Sequence, residues 1–152
     1  MLRDIAQGIA DYITKDEVLR ERGLVSVVVE DKADYGFVIA NSIGQLGVCV
    51  TVAITGFRVV PNSPVLEGTL QVQISCYEHP ALNRADLSCQ TAQFVNERLA
   101  RILHYHRFPF LRGQFILKDF SRDDVDDANI TRGNYEVHTR LGFEDAFFAA
   151  QK

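Results

Sequence analysis

The sequence predicts an α+β fold, a mainly antiparallel sheet packed against an N-terminal helix and one long central amphipathic helix. Two adjoining stretches carry that prediction. In Leu70-Gln71-Val72-Gln73-Ile74-Ser75-Cys76-Tyr77 apolar side chains occupy every second position. That spacing puts Leu70, Val72, Ile74 and Cys76 on one face of a half-buried strand and Gln71, Gln73 and Ser75 on the other. After Asp86 the period becomes helical, with Ala92, Val95, Leu99, Ile102, Leu103 and His106 on one stripe and Gln93, Glu97 and Arg101 off it. Each element leaves an apolar face uncovered, and laying the helix on the sheet covers both.

The remaining elements follow from the same rules. Leu2, Ile5, Ile9, Tyr12 and Ile13 form one stripe of a first helix, followed by a further turn from Asp16 to Arg22 that Gly23 closes. Val25, Val27 and Val29 lie in a β-branched run, read as a strand buried on both faces. Residues 32–46 fit a helix through Ile39, Ala40, Ile43 and Leu46 better than a strand, because Asp31 or Asp34 can cap it and Gly47 can end it. Residues 48–60 read as a long strand, with Val48, Val50, Val52 and Ile54 on one face and Thr51, Ala53, Thr55 and Phe57 on the other. Pro61-Asn62-Ser63-Pro64 turns the chain into the central strand, making the two antiparallel neighbours.

His79-Pro80 ends the central strand, because proline donates nothing to a ladder. Asp86 is the N-cap expected for the central helix, which runs to Tyr105. Phe108-Pro109-Phe110 breaks the pattern, and 114–120 reads as another strand. Residues 121–129, with Asp123, Asp124, Asp126 and Asp127, read as a polar, mobile connection, because four closely spaced carboxylates repel one another and resist burial. The last strand alternates Tyr135, Val137, Thr139, Leu141 and Phe143 against Glu136, His138 and Arg140, before a short helical tail. No repeat or linker divides the 152 residues, so the expectation is one domain over 1–152.

Composition narrows the function. Hydrophobic residues make up 47% and charged residues 24%, the balance of a globular protein, and the net charge of −4 opposes the clustered basic surface that grips phosphates. No sequence-specific nucleic-acid binding is expected. Neither a leader nor a membrane-length apolar run is read in the chain, which places it in the cytoplasm or in an assembly built there. Cys49, Cys76 and Cys89 lack CxxC spacing and sit in apolar contexts, as buried thiols do.

The candidates for chemistry are few. His104 and His106 would point roughly 200° apart on a helix, so a core-edge His106 and a surface His104 are expected rather than a metal pair. The Asp123–Asp127 run departs from the calcium-loop template, since Val125 takes the third position. GxSxG, GxGxxG and Walker spacings are absent. The expectation is therefore a non-enzyme with no catalytic residue, cofactor or metal. Arg98, Arg101, Arg107 and Arg112 form a modest basic series beside Tyr105 and Phe108 that fits nucleic acid, helix-surface solvation or an oligomer interface alike; Arg98, Arg101 and Arg107, with the four aspartates, are the candidate assembly residues. The alternative is a bacterial enzyme or small-ligand-binding domain whose site gathers scattered residues such as His79, Asn83, Arg84 and His138.

The order of elements, with Gly68 to Glu78, Asp86 to Tyr105, and the closing segments Phe115-Ile116-Leu117-Lys118-Asp119-Phe120 and Tyr135-Glu136-Val137-His138-Thr139-Arg140-Leu141 around Arg122-Asp123-Asp124, resembles the tail terminator (tail completion, minor tail) proteins of long-tailed phages and prophages. That resemblance implies a structural virion protein that assembles in the cytoplasm and ends in the virion tail. It further implies a homo-oligomeric ring, commonly a hexamer, that caps the tail tube and joins it to the head connector. An acidic ring suits that place, because fixed negative charge lets DNA pass without sticking.

Overall fold

The computed structural model describes residues 2–21, 27–30, 48–78, 92–125 and 128–141. Helices α1 (Leu2–Thr14) and α2 (Glu17–Glu21) precede strands β1 (Val27–Val29), β2 (Val48–Val59) and β3 (Leu66–Glu78). Helix α3 (Ala92–Leu103) then leads to β4 (Ile116–Val125) and β5 (Ala128–Leu141). The strands form one sheet in the order β1-β2-β3-β5-β4, with β1 parallel to β2 and every other pair antiparallel. The α+β expectation is met, and β3 holds the centre, paired along its length from Leu66↔Leu141 to Glu78↔Asn129.

Alternation in β3 does what its period requires. Leu70, Val72, Ile74 and Cys76 are buried among Ile5, Ile9 and Ile13 of α1 and Val95, Leu99 and Leu103 of α3, while Gln71 and Gln73 lie half-exposed on the opposite face. Each such aliphatic side chain contributes about 1.5–3 kcal/mol on leaving water. Burial also pushes the Cys76 thiol well above its usual range, so both it and the buried Cys49 act as small hydrophobes.

Several sequence expectations are corrected. Leu2 lies on the angular stripe of Ile9 yet is 41% exposed, because the first turn of α1 extends past the surface the helix covers, and Ala6 and Ala10 complete the buried stripe instead. Phe57 belongs to the core face: the register shift between Ile54 and Gly56 inserts Thr55 as a β-bulge, after which Phe57 pairs with Leu70. A second bulge between Leu117 and Asp119 lies in the same row, where Ile54, Val72, Tyr135 and Leu117 align across four strands. Among the described residues of the β-branched run, Val29 is fully buried and Val27 and Val28 are half-covered, as an edge strand allows.

Helix α3 stops at Leu103 rather than Tyr105. Tyr105 takes a left-handed backbone (φ 66°), and its N–H donates to the Phe115 carbonyl at 2.6 Å, turning the chain out of the helix. The following segment breaks the helix, as expected, but also plugs the core: Phe108, Phe110, Leu111 and Phe115 are buried. Gly8 makes room for it, since a Cβ there would stand 2.7 Å from the Phe110 ring. Asp16 caps α2 by accepting from the Leu19 N–H at 3.2 Å.

The largest correction concerns the acidic connection. Residues 121–125 continue β4, β5 begins at Ala128, and the ladder runs on through Asp123↔Ile130, Asp124↔Asn129 and Val125↔Ala128. The described residues of the polar run, 121–125 and 128–129, are thus paired strand ends, and the ladder supplies the backbone partners that carboxylate repulsion alone leaves out of account. The expectations for Gly23, the 32–46 helix, His79-Pro80, the Asp86 cap, Cys89, Phe143 and the tail fall outside the described residues.

Candidate functional site

The sheet face opposite the helices is assembled from alternate positions of β2 to β5, and its polar side chains are matched to one another. Gln73 donates to the Asn134 side-chain oxygen at 3.1 Å, and Asn134 donates in turn to Asp119. Glu136 stands between Arg58 at 3.3 Å and Lys118 at 4.0 Å, and His138 pairs with Glu67 at 2.9 Å. Toward β1, the Glu30 carboxylate accepts from Thr51 at 2.8 Å and Tyr77 at 3.1 Å; desolvation, then Glu30, raises the Tyr77 hydroxyl above its usual range. Apart from the Glu30 bonds, where Thr51 is fully buried, these are exposed or half-exposed pairs of small individual energy. They build a broad surface of mixed charge rather than a reactive centre.

Asp123 sits on this face and is ion-paired with Arg132 of β5. Arg98, by contrast, grips Asp16 with two hydrogen bonds, at 2.8 and 3.1 Å, joining α3 to the cap of α2 on the helix side. Arg101 and Arg107 are exposed. Asp123 therefore does not meet the arginine series within a protomer, and the Asp124 side chain, Asp126 and Asp127 lie outside what is described. So do His79, Asn83 and Arg84, which leaves His138 with its Glu67 partner as the described part of the scattered set.

The two histidines diverge. His104 is half-buried rather than on the surface: its Nδ1 accepts the Leu117 N–H at 3.0 Å, which places the ring proton on Nε2 and covers the start of the β4 edge. His106 stacks on Tyr12 at 4.2 Å and meets Phe108 edge-on at 4.5 Å. Among the described residues, no three His, Cys, Asp or Glu side chains converge to hold a metal. No helix among them is long and apolar enough to cross a membrane.

Two features escaped the sequence reading. Between α2 and α3 lies a groove of about 270 Å³ with Val18 and Phe94 in its wall and Glu97, Arg98 and Arg101 along it. At the β2–β3 turn, Val59, Val60, Val65 and Leu66 are 37–49% exposed. The alternation of 48–60 was the available signal for the second, since its apolar residues run on past the last core position.

Acid should weaken the fold in two stages. Burial holds His106 below its ordinary value, so the unfolded chain binds its proton first and stability falls as pH drops from about 6.5 toward the lowered value. Asp16 is held below the carboxylate range chiefly by its hydrogen bonds from Arg98; its contribution is present above the ordinary value and is lost as pH falls through the depressed one. Thermal melts across the acid range are expected to show His106→Gln removing the upper stage and Arg98→Gln the lower.

No family model matches the sequence, and no curated protein matches it. Among solved structures, the chain is similar to one from the "Virion of native gene transfer agent (GTA) particle", with 14% identity and a TM-score of 0.63, over 90% of this chain and 96% of that one. At that identity the likeness is one of fold, and it spans nearly the whole of both chains.

Proposed function

We propose that the protein is a structural component of a phage-like particle: a non-enzymatic tail terminator, folded as one domain over residues 1–152. It closes into a homo-oligomeric ring, commonly a hexamer in such proteins, that caps the tail tube and joins it to the head connector in the virion tail. The single observation that carries this reading is the fold likeness to a chain of a gene transfer agent virion along nearly its entire length. The matched polar sheet face supports it, because mixed charges on a broad, regular surface suit a neighbour of complementary pattern. A ring multiplies the −4 net charge by the number of copies, which favours free passage of DNA through its bore.

In this reading the acidic hairpin end, Asp123, Asp124, Asp126 and Asp127, and the exposed Arg101 and Arg107 act between protomers, whereas Arg98 braces the protomer through Asp16. Changing all four aspartates to Asn is expected to cost the monomer little, since the one described pair, Asp123 with Arg132, is exposed and worth at most about 1 kcal/mol. The same variant is expected to alter ring yield, measured by native mass spectrometry. Unfolding of the variant, or parental ring yield, would remove the hairpin end from assembly.

A further inference from the structure

We infer that the ring contact is made by the β2–β3 turn of one copy docking into the α2–α3 groove of the next; this rests on the ring reading above. The turn is an unusual surface. From Val59 to Leu66 it carries no charge, exposes four aliphatic side chains and is flanked by Arg58 on one strand and Glu67 on the other. Exposed positions beside a turn are ordinarily polar, so four exposed aliphatic side chains flanking Pro61-Asn62-Ser63-Pro64 mark a surface that another surface covers. Pro61 and Pro64 restrict its backbone, so little conformational entropy is lost on docking.

The groove answers it in chemistry and in place. Val18 and Phe94 offer apolar wall, and about 270 Å³ is ample for two aliphatic side chains, given that a cavity of ~150 Å³ holds benzene. Glu97 and Arg101 carry charges opposite to Arg58 and Glu67, and Arg101 has no carboxylate partner among the described residues. The internal pairs of Arg58 and Glu67 are exposed, so exchanging them costs little.

Position makes the contact intermolecular. The turn lies at the Val59–Gly68 end of the sheet, whereas α2, whose cap Asp16 is held by Arg98 of α3, leads toward β1, which starts at Val27 level with Val50 and Cys76 at the other end. A knob at one end and a socket at the other make a head-to-tail contact, the kind that closes into rings.

The test uses variants with one engineered surface cysteine in a Cys89→Ser background that keeps the buried Cys49 and Cys76, Val60→Cys on the turn and Val18→Cys in the groove, mixed in equal amounts and treated with a bismaleimide. A turn-to-groove cross-link between two chains, located by peptide mass spectrometry, is the expected result. Arg101→Glu is expected to abolish it at unchanged melting temperature, and Glu67→Arg combined with Arg101→Glu to restore it. Rings by native mass spectrometry without the cross-link, or cross-links only between like positions, would overturn the docking while leaving the ring. The cross-link in chains that never close would support the docking and overturn the ring. Neither cross-link nor ring would overturn both.

Discussion

Gly68→Ala should lower the melting temperature by roughly 6–12 °C, the equivalent of about 3 kcal/mol in a chain of this length. Gly68 pairs with Val59 where β2 and β3 near their turn, and a Cβ added there would stand 2.0 Å from the Arg58 carbonyl oxygen and 2.8 Å from its carbon. Both atoms are backbone, so no rotamer change relieves the clash and the two strands must separate. The loss therefore falls at the upper end of what overpacking costs. Thr69→Ala, one position along on the opposite face, should change stability by at most about 1 kcal/mol. A Gly68→Ala protein that melts with the parent would show that the strands do not approach this closely.

Leu99→Ala should destabilise by roughly 2–5 kcal/mol. Leu99 is completely buried, on the stripe of α3 that shares a core with Leu70, Ile74 and Tyr135. Truncation removes transfer free energy and leaves a cavity that the surrounding strands, fixed by their ladders, cannot close. Ile74→Asn should cost at least as much, since it replaces a fully buried aliphatic side chain of the same core with an amide that has no partner there. Glu97→Ala, on the exposed side of the helix, is the control. Denaturant midpoints at constant slope check the set, and a parental midpoint for Leu99→Ala would remove α3 from the core.

What could be read from the residues depended on whether period alone decides the outcome. Strand β3 and the buried stripe of α3 were legible because an unbroken alternation admits one register and an unbroken helical stripe one face. The side of Phe57 was not, because Thr55 adds one residue in the bulge and inverts every position after it, and nothing in Thr55-Gly56 marks that step beyond the glycine itself. Continuation of β4 into Ser121-Arg122-Asp123 was hidden for a different reason. Aspartate disfavours strands locally, and the ladder to β5, with Arg132 against Asp123, is a non-local compensation that composition does not display. Of the candidate assembly residues, Asp123, Arg101 and Arg107 lie on the surface, which leaves their role open to the test above, whereas Arg98 has a partner 82 positions away in Asp16 that no local pattern announces.

Closure into a ring is the central claim, and the native mass spectrum of the purified 152-residue chain tests it most directly, recorded across a wide concentration range with and without tail tubes. The account predicts one dominant closed oligomer, a hexamer in the commonest form, either from the free protein or on the tubes. Monomer alone under every condition would contradict it.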